Sequence, residues 1–217
     1  GIRLLNRTEI VDFNQDADGV TATAHDLETG EKTAIRSDFM IGCDGGRSFV
    51  RKEIGARFIG DAVVQRVQST YIRAPGLLDL LKAGPAWAMF SLNPRRSGNT
   101  YAIDGKEKWL VHNYLRDDEP DFESVDRDRS IRTILGVDDD FEIEVLNKED
   151  WFGRRLVADK FRDRRVFICG DAAHLWVPYA GYGMNAGIAD AANLAWLMAA
   201  HLQGWAPIEI LNAHEAE

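Results

Sequence analysis

Cysteine is nearly absent from this 217-residue chain: only Cys43 and Cys169 occur. Two cysteines cannot build a disulfide framework, so a small stapled secreted scaffold is excluded and a reducing, cytoplasmic compartment is expected. No apolar run approaches the roughly 18–20 residues that a membrane span needs. Positive charge is also in deficit, with 26 Lys and Arg against 35 Asp and Glu, a net charge of -9 and a pI near 5.1. Phosphate-backbone binding needs a basic footprint, so nucleic acid is excluded as a partner. An anionic membrane surface is excluded for the same reason. No Cys/His cluster has zinc spacing, no GxSxG elbow occurs, and there is no internal repeat. What is present suffices for a core: 45% of residues are hydrophobic, in a length of about one and a half typical domains. Gly1 is not a methionine and Glu217 falls inside a helix-like pattern, so both ends are expected to be cut from a longer protein.

The hydrophobic pattern changes style twice. Ile10–Phe13, Val20–Ala24 and Lys32–Ser37 alternate between turn signals and predict a small antiparallel meander. Phe39–Cys43 is then apolar at nearly every position, as in a strand buried on both faces of a parallel sheet. Residues 57–157 are strand-dominated, with strands expected at Val63–Arg73, Ala86–Leu92, Thr100–Asp104 and Trp109–Leu115. One helix is expected at Val125–Leu135, capped by Ser124 and closed by Gly136. Val166–Cys169 restores the first style and should lie beside Phe39–Cys43. A long helix follows, Met184–Leu202, with an apolar stripe through Met184, Ile188, Ala191, Ala195, Met198 and Leu202. The chain is therefore predicted as α/β, with one domain built from 1–56 and 158–217 and interrupted by a β-rich α+β insertion at 57–157.

Two segments carry chemistry. Asp44-Gly45-Gly46-Arg47-Ser48 and Gly170-Asp171-Ala172-Ala173-His174 each follow a strand expected to be buried. Open α/β sheets bind ligands at the carboxyl ends of strands. A carboxylate there accepts hydrogen bonds from sugar-like hydroxyls. Downstream, Gly181 and Gly183 lead into the start of the long helix. Glycines allow close backbone approach, and a helix start offers unpaired N–H groups and partial positive charge. Such a site favours an anion or a ring that becomes anionic.

The two segments resemble the downstream fingerprints of the FAD-dependent aromatic hydroxylases, single-component flavoprotein monooxygenases similar to para-hydroxybenzoate and phenol hydroxylases. The DGxxSxVR form is matched by Asp44, Gly45, Ser48, Val50 and Arg51. The longer GDAAHxxPPxGGQGMNxGxxDAxNL form is matched by Gly170 through His174, Pro178, Gly181, Gly183, Met184, Asn185, Gly187, Asp190, Ala191, Asn193 and Leu194. The resemblance implies a Rossmann-like FAD-binding domain around an inserted substrate domain. It places Asp44, Gly45, Arg47, Gly170, Asp171, Pro178, Gly181, Gly183, Met184 and Asn185 at the cofactor. Asp171 would hold the ribityl chain, and the amides of Gly183, Met184 and Asn185 would face the flavin pyrimidine edge.

Val177, Ala180 and Tyr182 depart from the motif, and the upstream GxGxxG that binds the ADP half of FAD does not occur. The implied reaction is hydroxylation of a small phenolic or related aromatic substrate with NAD(P)H and O2. Trp176, Tyr179, Tyr182 and His112 are the substrate-side candidates. Other reactions on the same fold (epoxidation, halogenation, reduction) and a piece without FAD are the alternatives. Without the GxGxxG segment the isolated chain is expected to be colourless, and its exposed sheet edge to favour a homo-oligomer. Cys43 and Cys169 are expected to be small buried hydrophobes. Asp117-Asp118-Glu119 is expected to be a solvated loop.

Overall fold

The computed structural model describes residues 1–82, 84–178 and 181–216. Its strands are β1 (Thr8–Gln15), β2 (Val20–Asp26), β3 (Lys32–Ser37), β4 (Met40–Gly42), β5 (Phe58–Arg73), β6 (Ala88–Ser91), β7 (Gly98–Ala102), β8 (Lys108–Tyr114), β9 (Glu144–Ala158), β10 (Arg162–Asp163), β11 (Val166–Ile168) and β12 (His174–Leu175). Its α-helices are α1 (Phe49–Glu53), α2 (Arg127–Leu135), α3 (Tyr182–Leu202) and α4 (Ala213–Ala216). Contacts divide the chain into two compact units, Gly1–Gly60 with Arg155–Glu217, and Asp61–Arg154. No described helix is long and apolar enough to cross a membrane.

In the first unit β1, β2 and β3 form the expected antiparallel meander. Its first turn is held by Asp16, whose carboxylate accepts from the amides of Asp18 and Gly19 and from the Arg36 guanidinium. These bonds hold the Asp16 carboxyl well below the usual carboxylate range. Phe13 and Val20 turn inward and join a core with Val50, Ile54, Val166 and Ile168. β4 pairs in parallel with β11, from Val166↔Met40 to Ile168↔Gly42. Strands far apart in sequence are therefore neighbours, as expected.

Gly42 is required at this junction: a Cβ there would come within 2.6 Å of the Val50 side chain. The strand is not buried on both faces, however. β4 is the last strand of the order β10-β11-β4, so Ile41 is 44% exposed and Cys43 is exposed. An apolar run tells that a segment avoids water on balance, and an edge position leaves one side of it uncovered.

α3 departs from its expected stripe in the same way. Its buried residues are Leu194, Leu197, Met198 and Ala200, packed with Phe167, Cys169 and Leu211. Met184 and Ile188 are 74% and 59% exposed. The fully buried residues all lie in the second half of the helix; the first half meets the Gly170–Ala172 turn through Gly187 and Asp190 and leaves Met184 and Ile188 to solvent.

In the second unit β9, β5, β8, β7 and β6 lie in that order in one sheet, antiparallel from β5 to β6, and α2 packs on it. Ile72, Trp109, Val111, Ile131 and Ile134 are buried between them. Asp126, not Ser124, caps α2: its carboxylate accepts from the Arg129 amide at 3.0 Å. Ser124 is occupied one turn earlier, in a turn closed by Asp121. Gly136 ends the helix at φ 72°. β9 has no sequence signal because it is mostly exposed and charged, and its partners rather than its pattern make it a strand. Glu119 is not simply solvated: it accepts from buried Arg96, which also donates to Asn113 at 2.6 Å. Burial tends to raise the Glu119 pKa, but the Arg96 and Arg116 contacts outweigh it and leave a net lowering.

Candidate functional site

The site lies in the first unit, where β4 and β11 end side by side. Asp44 does not project freely. One carboxylate oxygen accepts from the Ser48 hydroxyl, and the other from the Val50 amide at 3.0 Å. Ser48 in turn caps α1 by accepting from the Arg51 amide at 2.8 Å. Gly45 takes φ 77°, a left-handed turn that suits glycine. Asp44 therefore shapes the loop that presents Gly45, Gly46 and Arg47. Arg47 is exposed and its guanidinium has no partner among the described residues.

Arg51 joins this loop to the second one. Its side chain is buried, donates to the carbonyl of Ala172 at 3.1 Å and to that of Gly46 at 3.0 Å, and lies 3.7 Å from the centre of the Phe58 ring. Burial lowers the pKa of its guanidinium. The DGxxSxVR match included Arg51, but its bridging role needed the tertiary pairing of two distant loops. Gly46 also lies against Leu175 of β12.

The second loop begins with Gly170 at φ 58°, whose amide donates to Asp190 of α3 at 2.8 Å. The same Asp190 oxygen is 2.7 Å from His174 Nε2. Asp190 thus anchors the turn Gly170–Ala172 and the strand behind it to the helix. Gly170 and Gly187 face each other, and a Cβ on either would stand about 3.5 Å from the other's Cα. Asp171 is exposed and its carboxylate has no hydrogen bond among the described residues. His174 is buried and stacks edge-on against Trp176, which is 56% exposed. Pro178 is exposed; Tyr179 lies outside the described residues.

α3 starts at Gly181, which has φ 67° and supplies no side-chain cap, and the first turn contains no acidic residue. Tyr182 and Met184 are exposed there, and the Asn185 side chain donates back to the Gly181 carbonyl at 3.3 Å. A helix of 21 residues with an uncapped, acid-free start presents backbone donors and partial positive charge outward.

The Gly170–Ala172 turn and α3 are held together by Asp190, and Arg51 ties the Asp44 loop to that turn. His112 belongs to the other unit. It lies on β8 between Tyr101 and Trp151, with ring centres 5.2 and 5.6 Å away. Burial there pushes its imidazole pKa down.

The donor set fits the riboflavin half of FAD: a free carboxylate for hydroxyls, and amides with helix-start charge for a ring that becomes anionic. Comparison with known proteins shows the family. The chain is 33% identical over 213 residues to tetracenomycin B2 monooxygenase-dioxygenase of Streptomyces olivaceus, covering 97% of this chain and 39% of that protein. The structure of RebC-10x, native and bound to K252c, matches with a TM-score of 0.82 at 35% identity, over 100% of this chain and 42% of that one. The flavin-dependent monooxygenase PieE, in complex with FAD and substrate, matches with a TM-score of 0.75 at 29% identity, over 96% and 37%. The chain thus spans about two fifths of the length of such relatives. The FAD binding domain family matches residues 1–217, and with these loops and this helix start the chain belongs to that family.

Proposed function

We propose that this chain is the cofactor- and substrate-facing part of an FAD-dependent monooxygenase that hydroxylates a phenolic or related aromatic compound with NAD(P)H and O2, in the cytoplasm. The uncapped start of α3 and the exposed Asp171 carboxylate, on a turn held to the same helix through Asp190, carry the reading. FAD supplies the chemistry when bound, taking two electrons from the nicotinamide and activating oxygen. Residues 1–56 and 158–217 form the cofactor part, and 57–157 the substrate part.

Asp171 would accept from the ribityl hydroxyls of FAD, and the amides of Gly183, Met184 and Asn185 would hold the pyrimidine part of its ring. The helix start favours negative charge on that ring by about 0.3–1 kcal/mol, up to about 2 when partly buried. Asp44 and Gly45 present Arg47 toward the cofactor or the nicotinamide. Pro178, exposed ahead of α3, would stiffen the backbone beside the cofactor. Trp176 and Tyr182, both exposed, contribute apolar faces that orient an aromatic substrate and keep water away. One named relative is a monooxygenase of tetracenomycin B2 and another was solved with K252c bound, which supports an organic small-molecule substrate.

Flavin fluorescence titration of the protein and of Asp171→Ala tests the assignment. Charge-assisted bonds are worth about 1.5–3 kcal/mol each, so affinity should fall roughly ten- to a hundredfold or more. An unchanged dissociation constant would remove Asp171 from the site.

A further inference from the structure

The two cysteines have no part in the scheme above, yet the fold brings them together. Cys43 directly follows β4 and Cys169 directly follows β11. The parallel register ends at Ile168↔Gly42, so the next residues face each other across the ends of the two strands. The Cys169 amide donates to the Gly42 carbonyl at 3.0 Å, which fixes that register at its last step. Neighbouring strands lie about 4.8 Å apart, inside the roughly 4.4–6.8 Å between Cα atoms that a disulfide spans. The two thiols are close enough that each shifts the acidity of the other. Cys43 is exposed and Cys169 is buried. Behind Cys169, His214 Nε2 stands 3.7 Å from the sulfur and 3.0 Å from the Ile168 carbonyl.

We propose that Cys43 and Cys169 are a reversible dithiol–disulfide pair that reacts with peroxides, Cys43 as the attacking thiol and Cys169 as the resolving one. The asymmetry of the site sets these roles. An oxidant in solution reaches the exposed sulfur, and the buried one is reached only through it. The neighbouring Cys169 thiol brings the Cys43 thiol down to about 7, whereas Cys43 and burial push Cys169 up. Cys43 is therefore the one present as thiolate near neutral pH.

The chemistry balances with hydrogen peroxide as the two-electron oxidant. The Cys43 thiolate attacks one peroxide oxygen, the O–O bond breaks, and the departing hydroxide takes up a proton as water, leaving a sulfenic acid. The Cys169 sulfur then attacks the Cys43 sulfur. The S–O bond breaks, and the thiol proton leaves with the hydroxyl as a second water. The resulting disulfide ties the Asp44–Ser48 loop to the Gly170–Ala172 turn at their roots. This inference does not rest on the flavin reading.

The protein is treated with hydrogen peroxide and then alkylated, and its intact mass and free thiols are measured. Both thiols should disappear, with a mass lower by two hydrogens and full recovery after dithiothreitol. Cys169→Ala should instead hold Cys43 as a sulfenic acid that dimedone traps. Cys43→Ser should leave Cys169 unreactive. Iodoacetamide should modify Cys43 roughly three- to fivefold faster at pH 7 than a free cysteine, as its thiolate fraction rises more than its nucleophilicity falls. The wild-type measurement needs no variant to fold. Two thiols surviving peroxide, a Cys43 sulfinic acid beside an untouched Cys169, or a disulfide only between chains would overturn the proposal.

Discussion

Replacing Arg51 by methionine tests how the two loops are held together. The guanidinium makes two hydrogen bonds to carbonyls, at 3.1 and 3.0 Å, from a side chain in a residue only 6% exposed. Each charge-assisted bond contributes about 1.5–3 kcal/mol. Methionine keeps most of the packing on Phe58 and removes the cost of burying a cation, which offsets part of the loss. It also leaves the Ala172 and Gly46 carbonyls without that donor. A net destabilisation of about 2–4 kcal/mol follows, roughly 30- to 1000-fold in the folding equilibrium. For a chain of this size that lowers the melting temperature by roughly 5–15 °C. Urea and thermal unfolding followed by far-ultraviolet circular dichroism measure it. Arg51→Lys should fall between the two, because an ammonium is a point charge and does not fork to two carbonyls. A methionine variant that melts within a degree of the parent would refute the clamp.

Four further outcomes are expected. Gly42→Ala should cost about 1–3 kcal/mol, because its Cβ would meet Val50 at 2.6 Å; Gly183→Ala, with nothing within 4 Å, should melt no lower than the parent while weakening flavin in a fluorescence titration. Asp190→Asn should lose about 1–3 kcal/mol, read by unfolding, with a shifted His174 ring signal in NMR, since one oxygen serves both Gly170 and His174. Burial lowers the folded-state pKa of His112, so the unfolded chain takes up the proton first. His112 therefore withholds none of its contribution above the ordinary value of about 6.5, and stability falls as pH drops from there toward the lower folded value. His112→Gln should flatten that part of a stability-against-pH curve.

Much of this protein is written locally. The meander, the β8 strand, the Gly136 end of α2 and the long helix after Gly181 follow from short-range pattern and turn chemistry. The pairing of β4 with β11 was legible because two similar apolar runs each stop at a Gly/Asp motif. The order of the motif was legible too: Asp171 lies exposed in a turn after β11, and Gly181 and Gly183 lie at the start of α3. Tertiary structure decided what spacing cannot carry. Whether an apolar strand is central or at an edge depends on its neighbours, and this exposed Ile41 and Cys43. Which side of α3 is buried depends on where Phe167 and Leu211 meet it, and an all-round apolar helix does not choose between its faces. β9 is a strand because it has partners, despite a charged and mostly exposed sequence. Arg51, Asp190 and the facing cysteines act across more than a hundred residues of chain or between a helix and a turn. Such contacts depend on distance in space, and hydrophobic periodicity reports only distance along the chain.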